Sequence, residues 1–323
     1  MVRAYRGLAL VCVVLTVAGL LSAPALAARA RLLSVTTDPR GAEVRVDGRF
    51  VGYTPLANCH LPDSPTGRYT IRFELPAHRP ATRTVELPPG GHAQLAAVRL
   101  RPLGPWTVDA EGPFPLRALS TRPAGWRDDS PWFDESPLPG TDLLYISSGW
   151  EARLQADVAG PDDCRALTKA LAGLPVTWLT LEDSNVRDED VGLFADLREL
   201  RGFVLDEVYD LKGAGLKALR RLPYLRAFGI DSFEESTSPT EVVEALRGLP
   251  ITHLLLRMPA LTDRDAVSAV EALPDLKWLS YDGEVTEAGR RALRAAHPGL
   301  TVDPMPSGYP YAYGFYRDWS SRL

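Results

Sequence analysis

VTWLTL (Val176–Leu181), LRGFVL (Leu200–Leu205), LRAFGI (Leu225–Ile230), ITHLLL (Ile251–Leu256) and LKWLSY (Leu276–Tyr281) are five copies of one phrase. Each has a large apolar residue at positions 1, 4 and 6. Their starts lie 24, 25, 26 and 25 residues apart. A fixed period of this size predicts stacked units, none able to bury its apolar face alone. Stacks of this kind offer extended binding surfaces, which points to recognition or scaffolding.

A polar loop and a helical stripe follow each phrase. The stripes are Val191/Phe194/Leu197, Leu216/Leu219/Leu222, Val242/Val243/Leu246/Leu249, Val267/Val270/Leu273 and Ala292/Leu293/Ala296. Their spacing of three and four is that of a helix with one buried side. Cys164 to Leu174 reads as an earlier helix of the same type. Leu174-Pro175, Leu222-Pro223, Leu249-Pro250 and Leu273-Pro274 stop helices and turn the chain toward the next strand. Strand, loop and helix at this period resemble a leucine-rich repeat of the ribonuclease-inhibitor-like type. The resemblance covers about 160 residues and implies an α/β solenoid with parallel strands. The asparagine of that family is absent: Ser184, Val208, Phe233, Pro259 and Glu284 stand in its place. A small open sheet packed on helices satisfies the same pattern.

Residues between the apolar positions belong on the opposite, concave face. One column reads Trp178, Gly202, Ala227, His253 and Trp278, the next Thr180, Val204, Gly229, Leu255 and Ser280. A third, just past the phrase, reads Glu182, Asp206, Asp231, Arg257 and Asp282. Two exposed tryptophans bordered by carboxylates would form a protein-binding face, because aromatic side chains are common interface anchors. The candidate binding residues are therefore Trp178, Glu182, Asp206, Asp231, His253, Arg257, Trp278 and Asp282. Two blander readings stand beside this one: the tryptophans cover a gap left by Gly202 and Ala227, and the carboxylates are a solvated edge. Calcium ligands supplied one per strand, about 4.8 Å apart, converge poorly.

Ahead of the repeats, residues 31–101 alternate apolar and polar residues at Leu33/Val35, Val44/Val46, Tyr69/Ile71/Phe73/Leu75 and Val85/Leu87. This is the period of half-buried strands. Asp47-Gly48 is a hairpin signal, and Thr54-Pro55, Thr66-Gly67 and Pro88-Pro89-Gly90-Gly91 mark further turns. Asp38-Pro39-Arg40-Gly41-Ala42, Val44-Arg45-Val46-Asp47-Gly48, Val51-Gly52-Tyr53-Thr54-Pro55-Leu56 and Gly67-Arg68-Tyr69 together resemble the PEGA domain family. The likeness implies a small β-sandwich-like domain of exported, envelope-associated bacterial proteins, without catalysis. Arg40 replaces the glutamate of the family's namesake tetrapeptide.

Arg3 and Arg6, an apolar run from Gly7 to Leu21, and Ala25-Leu26-Ala27 have the layout of a signal peptide cleaved after Ala27. The run is shorter than the roughly 20 residues that span a bilayer. An exported mature chain without a transmembrane segment is the expectation, in a periplasm or the extracellular envelope. Residues 102–141 carry Trp106, Trp126, Trp132 and eight prolines, among them Pro105, Pro113, Pro115 and Pro123, which break helices. They predict an irregular linker plastered onto its neighbours, followed by an opening strand at Asp142–Ser147. The aromatic tail, with Tyr309, Tyr311, Tyr313, Phe315, Tyr316 and Trp319, predicts a cap over the last repeat.

The fold class that follows is multidomain. A signal peptide (1–27) precedes a small all-β PEGA-like sandwich (28–101). After the linker (102–141) come an α/β leucine-rich-repeat-like solenoid (142–304) and a tail (305–323). Residues 31–101 hold ten arginines against six acids, and residues 102–323 hold 23 basic against 35 acidic residues. The acidic balance disfavours nucleic acid as a partner. Cys59 and Cys164, in different domains, predict free thiols rather than a disulfide.

The five histidines, at 60, 78, 92, 253 and 297, fall in no metal-ligand spacing. Neither a nucleophile elbow nor a phosphate loop is present. No enzyme and no cofactor are expected. The leading functional expectation is an exported adaptor whose repeat domain recognises a protein partner. The alternative is a structural cell-envelope protein whose PEGA-like domain contacts an envelope polysaccharide or peptidoglycan.

Overall fold

The structure is a computed structural model that describes residues 30–109, 116–124, 133–135, 143–232 and 237–304. The expected signal peptide, Trp126, Trp132, Phe233 to Ser236 and the aromatic tail lie outside the described residues. The chain divides into two compact units.

Nine strands cover the N-terminal third. They are β1 (Leu32–Asp38), β2 (Glu43–Val46), β3 (Arg49–Tyr53), β4 (Leu56–His60), β5 (Arg68–Glu74), β6 (His78–Arg79), β7 (Ala81–Glu86), β8 (His92–Arg99) and β9 (Arg101–Pro102). The first unit holds two sheets, ordered β4-β1-β8 and β3-β2-β5-β7. The short pair β6/β9 belongs to the second unit. Alternation has the expected physical result: Leu33, Val44, Val46, Tyr69, Ile71 and Phe73 are completely buried. Asp47 and Gly48 both take left-handed backbone, as a tight hairpin requires. The Asp47 carboxylate accepts from the Thr70 amide at 2.8 Å, and the Asp47 amide donates to the Thr70 carbonyl at 2.9 Å. The turn thereby fastens β2 to β5.

The second unit is built on a nine-stranded mixed sheet. Its strands are β11 (Leu116–Pro123), β12 (Phe133–Asp134), β14 (Trp150–Asp157), β15 (Val176–Glu182), β16 (Gly202–Leu205), β17 (Ala227–Asp231), β18 (His253–Thr262), β19 (Trp278–Glu284) and β20 (Thr301–Pro304). A separate antiparallel pair joins β10 (Trp106–Asp109) to β13 (Leu143–Ile146). The order of the main sheet is β12-β11-β14-β15-β16-β17-β18-β19-β20. From β14 to β20 every neighbouring pair is parallel. The helices are α1 (Pro161–Leu171), α2 (Val191–Phe194), a 3-10 helix (Ala214–Arg221), α3 (Pro239–Leu246), α4 (Asp263–Ala272) and α5 (Glu287–Ala296).

The repeated phrase sets the register. Leu179, Phe203, Phe228, Leu254 and Leu279 are successive partners across five strands. All five are completely buried, in one core with Leu167, Phe194, Leu219, Leu246 and Val270 from the helices. On α4 the buried stripe is Ala266, Ala269 and Val270, while Val267 stays exposed.

Two expectations are corrected. Residues 102–141 are not irregular throughout: β10, β11 and β12 fall inside them, and β11 pairs with β14 as part of the main sheet. Leu143–Ile146 is a strand, but it pairs with β10 and does not open the parallel set. That set opens at β14, whose inward residues Ala152, Leu154 and Ala156 are completely buried. Two alanines replace large apolar residues there, so the phrase is hard to read from the sequence.

Candidate functional site

On the face opposite the apolar phrase, Trp178, His253 and Trp278 share one register row with Gly202 and Ala227. Trp178 is not the exposed anchor expected of it, being only 3% exposed. Its indole lies flat on Gly202: a Cβ on that glycine would sit 2.0 Å from Trp178 Cε3. The missing side chain makes room for the ring, so the tryptophan fills the gap in the sheet. Its Nε1 donates to Thr180 Oγ1 at 3.3 Å. His253 is buried as well, with its ring 6.0 Å from that of the half-buried Trp278. Val204, Leu255 and Ser280 in the middle column are completely buried. Both faces of the central strands are therefore withdrawn from solvent.

The third column behaves differently from a solvated acidic border. Glu182, Asp206, Asp231, Arg257 and Asp282 form a ladder across the C-terminal ends of the strands, one rung per strand. Asp157 on β14, register partner of Glu182, extends it by a rung. Arg117 on β11 closes one end. Its guanidinium reaches Asp157 at 2.7 Å, Glu182 at 2.8 Å and Asp183 at 3.0 Å. These carboxylates raise the Arg117 pKa. Toward the other end, Arg257 donates to Asp231 at 2.8 Å and to Asp282 at 3.4 Å.

Between the two arginines lie Asp206 and Asp231, both buried. Burial first, and the neighbouring Asp231 next, push the Asp206 carboxyl up to about 8. Burial also raises Asp231, against the opposing pull of Arg257. Glu207, one residue past the ladder, is raised by burial and by the neighbouring Asp183 carboxylate.

The backbone after the ladder is unusual. Asp183 (φ 45°), Glu207 (φ 51°) and Asp210 (φ 64°) adopt left-handed conformations without being glycine. Such residues are uncommon, and Glu more so than Asp. The loops that carry them are tied together: the Tyr209 amide donates to the Ser184 carbonyl at 3.1 Å. Ser184 ties the backbone of the first of these loops. Its hydroxyl accepts from the Val158 amide at 3.1 Å and donates to the Glu182 carbonyl at 2.6 Å. Tyr209, 42% exposed, stands at the rim beside the Arg187–Asp210 ion pair of 3.7 Å.

Of the sequence-derived residues, the fold brings Glu182, Asp206, Asp231, Arg257 and Asp282 together in the ladder. Trp178, His253 and Trp278 are gathered in a separate row under cover. Arg117, Asp157, Asp183, Glu207 and Tyr209 were missed. Arg117 hides in the proline-rich stretch and Asp157 on the unrecognised strand. The repeated Glu182-Asp183 and Asp206-Glu207 pairs were the legible signal for the other acids. Among the described residues, no three His, Cys, Asp or Glu are grouped to hold a metal ion. Cys59 and Cys164 are free thiols, and burial pushes Cys164 up to about 12. No described helix is long and apolar enough to cross a membrane.

No curated protein matches the chain. Residues 31–102 match the PEGA domain.

Proposed function

We propose that this protein is an exported, non-enzymatic adaptor whose C-terminal unit recognises a protein partner. In this reading the unit is a diverged leucine-rich-repeat-like solenoid, and the partner meets the rim at the strand ends rather than the tryptophan row. The observation that carries the reading is the cluster of Asp183, Glu207 and Asp210 in left-handed backbone around the exposed Tyr209. Strained conformations of non-glycine residues gather where function demands a fixed loop. An aromatic ring flanked by charges of both signs suits a polar protein surface.

A second reading is favoured by a different observation. Phe50 and Tyr53 on β3 form an edge-to-face pair, with ring centroids 5.2 Å apart and both rings exposed. Arg45 is the register partner of Phe50. Arg45 is ion-paired with Glu43 at 2.6 Å, so the exposed rings carry this reading. Exposed aromatic rings suit an envelope polysaccharide or peptidoglycan, which would make the protein a structural envelope component.

One experiment weighs both. Full-length protein, a Tyr209→Ser/Asp210→Lys rim variant and a Phe50→Ser/Tyr53→Ser variant are compared in capture from envelope extract and in co-sedimentation with purified peptidoglycan. The adaptor reading expects the rim variant alone to lose its captured proteins. Unchanged capture by the rim variant, with sedimentation lost in the Phe50/Tyr53 variant, would sink it in favour of the second.

A further inference from the structure

The ladder displays what it accepts, because the chain supplies two cations of its own. Arg117 bridges Asp157 and Glu182, and Arg257 bridges Asp231 and Asp282. Asp206, at the end of β16, stands between these two clamps. It is 5% exposed, and among the described residues no arginine or lysine is ion-paired with it. On the next strand Asp231 is 1% exposed. Arg257 holds its Oδ2, while its Oδ1 is buried without a hydrogen-bond partner. Buried polar atoms without partners are rare in folded proteins, because each costs its desolvation. The strand register places Glu182 beside Asp206 and Asp183 beside Glu207. The Asp183 side chain is 50% exposed. An acidic rim open to solvent therefore leads down to two buried carboxylates short of donors.

We propose that the ladder at Asp206 binds an arginine side chain presented by a partner, so that the segment recognised at the rim is a basic peptide. This rests on the adaptor reading and names the chemistry of its ligand. A guanidinium seated at Asp206 would repeat the pattern of Arg117 and Arg257, one positive group shared by carboxylates of neighbouring strands. Its flat fork of donors can serve two carboxylates at once, which a lysine ammonium does less well. Tyr209, 42% exposed at the same rim, offers a ring against which the arginine or its aliphatic stem can lie. Complementary charge of this kind selects partners and speeds their encounter. The raised Asp206 pKa is what a buried carboxylate among other acids shows, and an entering cation would bring it down.

The test uses the full-length protein and two short labelled peptides, one rich in arginine and one with uncharged citrulline at every arginine position. Binding is read by fluorescence anisotropy at about 0.15 M salt, where diffuse attraction is screened. Wild type is expected to bind the arginine peptide about tenfold or more tightly than the citrulline peptide. Asp206→Asn, similar in shape and one charge fewer, should lose about tenfold in affinity for the arginine peptide. Glu244→Gln removes one charge from an exposed position on α3 and should stay within about twofold of wild type. Equal affinity for the two peptides overturns the proposal. Equal losses in the two variants also overturn it, since they mark diffuse attraction to an acidic protein. Should Asp206→Asn not fold, Asp183→Asn/Glu207→Gln takes its place. A loss of about tenfold is again expected there, and one below about twofold overturns the proposal. Capture from envelope extract separates this failure from that of the adaptor reading. If the arginine peptide is not bound but the Tyr209→Ser/Asp210→Lys variant still loses its captured proteins, the basic ligand is wrong and the adaptor stands. If the arginine peptide binds as expected and capture is unchanged, the arginine site stands and the adaptor reading falls.

Discussion

At Gly202 a single hydrogen atom decides what the neighbouring tryptophan does. With no Cβ in the way, the Trp178 indole lies against the sheet and its own exposure falls to 3%. Gly202→Ala should therefore destabilise the protein by about 1–3 kcal/mol, since the ring and the new methyl cannot both be accommodated. Trp178→Ala should cost about 3–5 kcal/mol through the cavity it leaves. Chemical denaturation of both variants checks this. Changes within about 0.5 kcal/mol would mean that the ring is a surface group after all. The alternation of side chains told which face Trp178 occupies, but not whether that face meets water. Exposure depends on what else in the chain lies above it, and period-2 alternation carries no information about that.

At the scale of the element, the strand-to-loop junction repeats itself in ways the residue names disguise. Asp183, Glu207 and Gly283 occupy equivalent places after β15, β16 and near the end of β19, and all three have positive φ. At Gly283 the left-handed backbone is steep (φ 151°) and a Cβ would come 2.8 Å from the Met258 carbonyl oxygen. The same economy appears at Ser184, which bonds to the backbone on both sides of the junction. Ser184→Ala should leave the buried Val158 amide unpaired and cost about 1–3 kcal/mol, measured by urea unfolding. A loss below about 0.5 kcal/mol would mean that water replaces the hydroxyl. Arg117 is a different case. Its side chain is 43% exposed, so its three ion pairs are screened by solvent. Arg117→Gln should cost no more than about 1 kcal/mol, an effect that shrinks as salt is added.

Across the whole molecule, burial is uneven, and native-state hydrogen exchange should register it. Amides of Phe203–Leu205, Phe228–Ile230 and Leu254–Leu256 lie in strands covered on both faces and should exchange slowest. Those of Ala81–Glu86, an edge strand that is mostly exposed, should exchange much faster. Equal protection in the two sets would contradict this distribution of stability.

The sequence by itself determined the parallel strands β15 to β19 and their register, because five copies of one apolar phrase admit only one alignment that buries them all. The same holds for the Asp47-Gly48 hairpin, where backbone sterics leave little choice. The acidic column was legible too, since strand period fixed which residues share a face. Tertiary structure alone decided that Arg117 leaves a proline-rich stretch to close the ladder, that β11, β12, β14 and β20 extend the sheet, and that the tryptophan row is covered. These are contacts between residues far apart in the chain, as Arg117 is from Asp157, by 40 positions, and from Glu182, by 65. Local periodicity reports which way a side chain points. Its charge state and its exposure are set by what distant segments bring against it.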